Sequence, residues 1–343
     1  MRPPPDKLIV PQDSETFLVY PDQAGQRLDQ FLKFRLKWRS RAKVQQLIAE
    51  REVTVAGLRV DRSYRVKDGD QVRLPLPPPP EAAFRIAEIP LEILFEDDQL
   101  VVLNKQPNIV VHPAGGHRYD TLINALHLRY RNLGDHTQDI VPKLAHRIDR
   151  ETSGVLVVVK TGRHQRGSPL VFEKSDVRKE YLTIAEGVIE QDSGDINVPL
   201  ARQFAEGLDR GMMIDRADGL ICRTGFEVLE RFEKFTFVRC RLYTGRMHQI
   251  RAHLKAIGHP VACDKNYGLR SELRLSEIRP LRPGEEDAVL LDRQALHAWR
   301  ITFDHPTTRQ PITIEAPLPA DMQRTLEALR GMPPVCPLVP PSL

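Results

Sequence analysis

Hydrophobic and polar residues are most sharply separated in the middle of the chain, where a polar segment runs into the aliphatic residues Val155 to Val159. The run is much shorter than a membrane span, shows no helical stripe and is dominated by β-branched residues, so we predict a central strand buried on both faces. Asp149, Thr152 and Ser153 come just before it. They should lie in a turn at the end of a rigid strand, a position suited to chemistry.

The N-terminal part of the chain shows two helical patterns followed by an alternating one. Apolar residues recur at helical spacing from 28 to 36 and again from 44 to 48, where Ser40 is a good N-cap for the second helix. Residues 53–60, VTVAGLRV, alternate about Ala56 and the glycine after it, which is typical of a hairpin. A helix pair and a small sheet are therefore predicted.

The larger remaining part mixes strand and helix patterns. Residues 100–105, LVVLNK, have the composition of a buried strand that ends at a polar edge. A helical stripe then runs from 122 to 130 and should stop near Gly134. Residues 177–187, VRKEYLTIAEG, predict a strand that begins with basic residues.

Residues 223–251 predict a hairpin of two alternating segments that continues into a helix. Arg246 should open this helix, and Gly258 should end it. The apolar stripe of the helix consists of Met247, Ile250, Leu254 and Ile257.

A run of prolines, Pro75 and 77–80, should adopt the stiff polyproline conformation and mark a domain boundary. The predicted organisation is an N-terminal arm (1–22), a small domain (23–75), a proline-rich linker (76–90), a larger domain (91–330) and a disordered proline-rich tail (331–343).

Composition narrows the class of protein. Hydrophobic residues make up 41% and charged residues 28%, which indicates a soluble globular protein rather than a disordered or membrane protein. The first twenty residues are broken by prolines and acids and do not resemble a signal peptide, so we expect a cytoplasmic location. The cysteines at 222, 240, 263 and 336 have no CxxC spacing, which argues against a disulfide framework or a zinc site.

The net charge of +4 says little about partners, but its distribution says more. Between Arg27 and Arg51 lie eight basic residues (27, 33, 35, 37, 39, 41, 43 and 51) and two acids (29 and 50). This density is typical of a surface that binds nucleic acid, although a solvated helix face would carry similar charge.

The polar turn before the central strand also carries a recognisable motif. HRIDRETSG, residues 146–154, resembles the HRLD-x-x-TSG signature of the RluA-type pseudouridine synthases, in which the aspartate is catalytic. Ile148 in place of leucine is the only departure. Taken alone, Asp149 would more commonly pair with Arg147 or Arg150, or cap the turn.

Other landmarks of the family follow along the chain. The LNK of residues 103–105 with VVHP after it, the K-x-Y of 179–181, TGRMHQIRAH at 244–253 and DKNYG at 264–268 each resemble a family motif. Cys263 stands where the family usually has glycine. The N-terminal segment from Arg27 to the hairpin resembles the α-L RNA-binding domain found ahead of many of these synthases.

The resemblance implies an α+β catalytic domain on a mixed, largely antiparallel sheet flanked by helices, preceded by a small basic α-L RNA-binding domain. It implies isomerisation of uridine to pseudouridine in RNA, with Asp149 as the nucleophile on a flipped-out uridine. Tyr181 would form the aromatic wall of the pocket. Arg246 would pair with Asp149, and Arg251 is the second candidate for that role.

The resemblance also implies partners. Structured RNA is expected, most plausibly ribosomal RNA of the large subunit, because that architecture is found in members that modify it. We expect a monomer with no membrane partner and no metal or organic cofactor. Candidate RNA-binding residues besides Arg251 are Arg147, Arg27, Arg39, Arg41 and Lys43.

Two alternatives remain at this stage. One is a ribosome-associated RNA-binding protein that has lost catalysis, which the basic N-terminal module alone would permit. The other is a carboxylate-dependent glycosidase, which would need a second positioned acid. Glu151 is the only acidic neighbour of Asp149 in the motif.

Overall fold

The computed structural model describes residues 14–35, 45, 48–49, 53–75, 89–113, 120–132, 141–161, 177–203, 212–215 and 217–331. The chain divides into two compact units, residues 1–88 and 89–343. The division falls inside the segment predicted as a linker, of which residues 76–88 lie outside the described part. Of the predicted tail, residues 332–343 also lie outside it.

The N-terminal unit is a four-stranded antiparallel sheet with helices, in the strand order β1-β4-β2-β3. Its elements are β1 (Ser14–Leu18), a 3-10 helix (Pro21–Gln23), α1 (Leu28–Arg35), β2 (Thr54–Val55), β3 (Leu58–Arg59) and β4 (Gln71–Pro75). Gln45, Ile48 and Ala49 are helical, whereas Ser40, the predicted N-cap, lies outside the described residues. The first predicted helix and the hairpin are confirmed.

The predicted N-terminal arm was wrong for residues 14–18. They form β1, which pairs with β4, and Phe17 lies opposite Val72. Phe17 and Val19 are buried with Leu28 and Phe31 of α1 in the core of this unit. Among residues 16–20, whose burial is described, Phe17 and Val19 alternate with exposed residues, so the period-two signal is short.

The C-terminal unit is built on a ten-stranded sheet. Its main order is β10-β13-β14-β9-β17-β8-β6-β5, while β18 pairs with β17 and β7 pairs with β8. The strands are β5 (Ile93–Glu96), β6 (Leu100–Lys105), β7 (Val141–Leu144), β8 (Ser153–Thr161), β9 (Arg178–Glu186), β10 (Ser193–Ile196), β13 (Thr224–Arg231), β14 (Phe235–Leu242), β17 (Leu296–Asp304) and β18 (Pro311–Glu315).

Helices and two short ribbons complete this unit. They are α2 (Leu122–Asn132), α3 (Gln249–Ala256), α4 (Leu275–Ile278) and α5 (Ala320–Arg330), with the ribbons β11 (Leu200–Gln203) with β12 (Met212–Asp215) and β15 (Leu273–Arg274) with β16 (Val289–Leu291). Among the described strands only β8 and β17 pair in parallel. The predicted α+β class with a mixed, largely antiparallel sheet is confirmed. No described helix combines the length and apolar character needed to cross a bilayer.

The predicted central strand is β8, which lies between β6 on one side and β17 and β7 on the other. Val155, Val157 and Val159 pack into one hydrophobic cluster. Leu156 and Val158 pack into the other, larger cluster. Both faces of the strand are therefore buried, which explains its unbroken aliphatic run and fixes the position of the turn that precedes it.

The start of β8 depends on a close approach between two backbones. Gly154 has φ +107 and lies opposite Ala298 of β17. A Cβ atom at this position would lie 2.1 Å from the carbonyl oxygen of Ala298. Only glycine fits there, for its conformation and for the space.

We expect Gly154→Ala to lower the free energy of unfolding by at least about 3 kcal/mol, since it adds backbone strain to a clash with a carbonyl that cannot move without breaking the sheet. Denaturant unfolding of the full chain measures this. Gly245→Ala is the matched control, because a Cβ there meets nothing within 4 Å. Equal stability of the two variants would contradict the close approach.

The hairpin of the N-terminal unit yields a second stability prediction. Ala56 and Gly57 both have positive φ, of 48° and 80°, as a two-residue hairpin turn with matching twist requires. Asparagine tolerates this conformation better than alanine. Ala56→Asn should therefore stabilise the unit by about 0.5–1 kcal/mol, seen as slower amide hydrogen exchange in β2 and β4 of the full chain. Ala56→Val should make amide hydrogen exchange in these strands faster. If both variants changed the exchange rate in the same direction, this explanation would be contradicted.

Candidate active site

Asp149 lies in the turn that leads into β8. The backbone N–H of Thr152 donates to the carbonyl of Asp149 over 3.2 Å, which closes the turn. Ser153 then starts the strand. The side chain of Asp149 keeps 28% of its surface exposed, so its carboxylate is anchored on a buried strand yet reachable from solvent.

Arg251 of α3 is the residue that binds Asp149. Its Nη1 donates to Oδ2 of Asp149 over 2.8 Å. Its Nε and Nη2 donate to the two carboxylate oxygens of Asp264 over 2.6 and 2.7 Å. The guanidinium is buried. Burial lowers the pKa of Arg251, but the bonds to Asp264 and Asp149 raise it further, so that the net direction is upward and the charge is kept.

The prediction that Arg246 pairs with Asp149 was wrong. The helix begins at Gln249 and not at Arg246, because His248 adopts a left-handed conformation with φ 52°. Arg246 lies in the preceding turn with an exposed side chain. Arg246 lies outside the helix at the surface, and Arg251 faces inward and pairs with Asp149. This is the reverse of the expected roles of the two arginines.

Gln249 explains the shape of that turn. Its buried amide oxygen accepts from the hydroxyl of Thr244 over 2.8 Å and from the backbone N–H of Arg246 over 3.0 Å. Its amide nitrogen donates to the carbonyl of Arg223 and the hydroxyl of Thr224, both over 2.9 Å. The glutamine thereby ties the turn that carries Arg246 to β13.

Asp264 is a residue that sequence reasoning noted only as part of a motif. Its side chain is fully buried, and besides Arg251 it accepts the backbone N–H groups of Asn266 and Tyr267 at 3.0 and 3.1 Å. Gly268 completes this tight turn, since a Cβ there would lie 2.7 Å from the carbonyl oxygen of Asp264. The DKNYG motif thus forms a carboxylate support for Arg251.

Cys263, which replaces the usual glycine of the family, has φ 57°. This is a conformation that glycine adopts freely and that strains other residues. Its buried thiol packs in the main core, and burial raises its pKa to about 12. The substitution keeps the turn and adds an inert thiol.

His248 and Tyr267 lie beside the Asp149–Arg251 pair. The Nε2 atom of His248 is 3.9 Å from Oδ1 of Asp149, and its Nδ1 is 3.1 Å from the Tyr267 hydroxyl. The guanidinium carbon of Arg251 lies 5.0 Å from the centre of the Tyr267 ring, a cation–π contact that helps to fix it. Sequence reasoning gave these two residues no role.

Tyr181 is buried on β9, where it lies opposite Cys240 of β14 and Ala298 of β17. Burial and the negative charge of Asp149 both raise the pKa of Tyr181, so its phenol stays neutral. Ala298 also lies opposite Gly154 of β8, so Tyr181 and the start of β8 lie on either side of β17. Tyr181 is therefore in the same region of the sheet as the turn that carries Asp149.

Lys105, the last residue of β6, lies under the turn and is almost wholly buried. Its ammonium donates to the carbonyl oxygens of Gln106, Ile109 and Arg150 over 2.8, 3.2 and 2.9 Å. Burial lowers the pKa of Lys105 to about 7, and the charge of Asp149 acts in the opposite direction. The signal in the sequence was a lysine ending an aliphatic strand.

The predicted RNA-binding residues are placed less completely. Arg147 is exposed and, within the described part of the chain, has no ion pair. Arg27 pairs instead with the buried Asp29 over 3.0 Å, so its guanidinium already has a partner in its own unit. Arg39, Arg41 and Lys43 lie outside the described residues. An RNA contact for each of these stays a prediction.

The site offers a carboxylate and not a metal centre. Within the ranges that the structure covers, no cluster of three or more His, Cys, Asp or Glu side chains could hold an ion. Arg251 occupies Oδ2 of Asp149, while Oδ1 accepts no hydrogen bond from the described residues. One oxygen of a partly exposed carboxylate is thus oriented by a fixed cation, and the other lies 3.9 Å from Nε2 of His248.

The chain was compared with known proteins. The RNA pseudouridylate synthase family model matches residues 99–256, and the S4 domain model matches residues 26–72. An uncharacterized RNA pseudouridine synthase of Bacillus subtilis is 38% identical over 310 residues, 90% of this chain and 96% of the relative. Ribosomal large subunit pseudouridine synthase D of Nitrosomonas europaea is 38% identical over 321 residues, 92% of this chain and 88% of the relative.

Among solved structures, human RNA pseudouridylate synthase domain containing 4 has a TM-score of 0.54 at 21% identity, over 73% of this chain and 97% of the human one. This shows a shared fold. The matches cover both units and include Asp149, Tyr181 and Arg251. The chain therefore belongs to the RluA-type family of RNA pseudouridine synthases and carries an N-terminal S4 RNA-binding domain.

Proposed function

We propose that this synthase converts specific uridines of large-subunit ribosomal RNA to pseudouridine, with Asp149 as the nucleophile. The observation that carries the proposal is the geometry of Asp149: its Oδ2 is held by the buried Arg251, its Oδ1 accepts no hydrogen bond from the described residues, and its side chain keeps 28% of its surface exposed. The ribosomal substrate is suggested by the relative from Nitrosomonas europaea, whose name refers to the ribosomal large subunit. Such a substrate would place the enzyme in the cytoplasm.

The reaction is an isomerisation in which the bond between N1 of uracil and C1′ of ribose breaks and a bond between C5 and C1′ forms. The proton on C5 is lost, and N1 ends with a proton, so atoms balance without a co-reactant. A carboxylate suits this task, because it can form a temporary covalent bond to the sugar or the base while both fragments stay in the pocket. Arg251 supplies the fixed, buried positive charge that orients the attacking carboxylate.

The target uridine has to leave its stack to reach Asp149, which lies at a buried strand end. Tyr181 would form one wall of the pocket, since it lies across β17 from the start of β8 and its phenol ring can pack against a base. Arg147, exposed and two residues before Asp149, would hold phosphate or stack in the RNA in the space that the uridine leaves. The S4 domain, through Arg39, Arg41 and Lys43, would add contacts to phosphate.

A catalytically inactive RNA-binding protein is the weaker alternative. It would not require Asp149 to be oriented by a buried arginine that is itself held by a second buried carboxylate. An ion pair of this kind costs desolvation energy, which a protein without catalysis could avoid with apolar side chains.

The direct test is to map pseudouridines in ribosomal RNA from cells with and without the protein and from cells that carry Asp149→Asn. We expect one or more sites of large-subunit RNA to lack pseudouridine in both the deletion and the variant, since asparagine keeps the shape of the side chain and removes the nucleophile. Purified Asp149→Asn should bind the unmodified RNA with an affinity within about threefold of wild type. Product formation by this folded variant would refute the assignment.

Arg251 and Arg246 provide a matched pair of conservative substitutions. Arg251→Lys keeps the charge but cannot bind Asp149 and both oxygens of Asp264 together, so the single-turnover rate should fall at least about 100-fold. Arg246→Lys should change it less than about threefold, because the exposed Arg246 does not contact Asp149. Thermal unfolding of both variants controls for loss of fold. A larger loss of rate for Arg246→Lys would contradict the assignment of Arg251.

A further inference from the structure

A second set of contacts, separate from those of Arg251, holds the Asp149 turn. They come from residues 293–297, which include the first two residues of β17 and lie outside every motif singled out in the sequence. The segment lies about 140 residues after the turn. Its side chains make hydrogen bonds to the turn.

Arg293 is the centre of these contacts and one of the largest fully buried side chains. Its Nη1 donates to the carbonyl of Glu151 over 3.0 Å, and its Nη2 lies 3.5 Å from the hydroxyl of Ser153. Its Nε and Nη2 also donate to the two carboxylate oxygens of Asp321 on α5 over 2.6 and 2.9 Å. Arg293 thus connects the C-terminal helix to the turn.

Gln294 and His297 bind the next two side chains. The amide nitrogen of Gln294 donates to the hydroxyl of Thr152 over 2.7 Å, and both residues are fully buried. The Nδ1 atom of His297 lies 2.9 Å from the hydroxyl of Ser153, and its Nε2 lies 3.3 Å from the carbonyl of Ala316. Burial lowers the pKa of His297 to about 4, so the ring is neutral, donates to Ala316 and accepts from Ser153.

These contacts use three consecutive residues, 151 to 153: Arg293 binds Glu151 and Ser153, Gln294 binds Thr152, and His297 binds Ser153. Since Thr152 also closes the turn by donating its N–H to the carbonyl of Asp149, a shift of Thr152 would shift the Asp149 backbone. Arg251 alone would then set the carboxylate position, and the carboxylate could follow that side chain instead of staying fixed toward the substrate.

We propose that Arg293 and Gln294 are positioning residues for pseudouridine formation, which hold the backbone of residues 151–153 so that Asp149 meets the uridine in a reactive orientation. They act through the turn and do not touch the substrate. The inference rests on the proposed role of Asp149 and adds a buried segment and α5 to the machinery that determines the rate.

The test compares Gln294→Leu with wild type in single-turnover reactions on unmodified large-subunit RNA made by transcription. We expect the rate constant to fall at least about tenfold, because a displacement of well under 1 Å in a reacting group already costs rate. The dissociation constant for the RNA should stay within about twofold, since no RNA contact is removed. A wild-type rate constant for the folded variant would overturn the proposal.

A double-mutant cycle identifies the route of the effect. If Gln294 acts through the Thr152 hydroxyl, Gln294→Leu combined with Thr152→Val should be no slower than the slower single variant. If the fold losses of rate of the two single variants multiplied in the double variant, the proposed route would be wrong. Arg293→Lys, which keeps the charge and loses the planar fork, should show the same split between rate and affinity; if it fails to fold, Gln294→Leu decides the question.

Thr236→Val is the matched control for loss of a buried hydrogen bond elsewhere. The Thr236 hydroxyl donates to the carbonyl of Gly187 over 2.8 Å and accepts the N–H of Ile189 over 3.0 Å, away from the turn. This variant should unfold at lower temperature but react at the wild-type rate when folded. An equal loss of rate in Thr236→Val would mean that Gln294→Leu slows the reaction only because it destabilises the protein. If Asp149→Asn is inactive while Gln294→Leu reacts normally, only the positioning proposal fails.

Discussion

The site depends on one buried guanidinium that binds two carboxylates at once. Arg251 is held by Asp264 through two short hydrogen bonds and by Asp149 through a third. A buried arginine without partners would cost several kcal/mol, so the fully buried Asp264 makes it possible for Arg251 to be present at all. Because Asp264 takes Nε and Nη2, Arg251 has one free edge, and that edge determines where Asp149 can lie.

Strand β8 and helix α3 hold the two partners of this interaction, Asp149 and Arg251, in place. The Asp149 end is anchored by β8, whose two buried faces leave it no freedom to slide. The Arg251 end is anchored by α3, whose start is defined by the left-handed His248 and the bonds of Gln249. Asp149 and Arg251 are 102 residues apart in sequence, so the tertiary fold and not local structure brings them within hydrogen-bonding distance.

The sequence predicts features that rest on a local pattern of residues, and it fails for features that depend on contacts between distant parts of the chain. Strand β8 and helix α2 were predicted because several residues repeat one strong local pattern. The choice between Arg246 and Arg251 failed because it depends on where α3 begins, and no local rule places a left-handed histidine there. Strand β1 was missed because its alternating pattern is short, with Phe17 and Val19 as the buried residues, and the segment 293–297 carries no chemical motif that points to the turn.

The charges around the turn show why so many buried polar groups are retained. Lys105 donates to the carbonyl of Arg150, Arg293 to that of Glu151, and Arg251 to Asp149 itself. Three basic side chains therefore bind three consecutive residues of one turn, and two of them bind backbone carbonyls rather than the carboxylate. Among the described residues, only Arg251 donates to a carboxylate oxygen of Asp149. Because the other two bind the backbone, they fix the turn without occupying Oδ1, the oxygen that the proposed attack on the uridine would use.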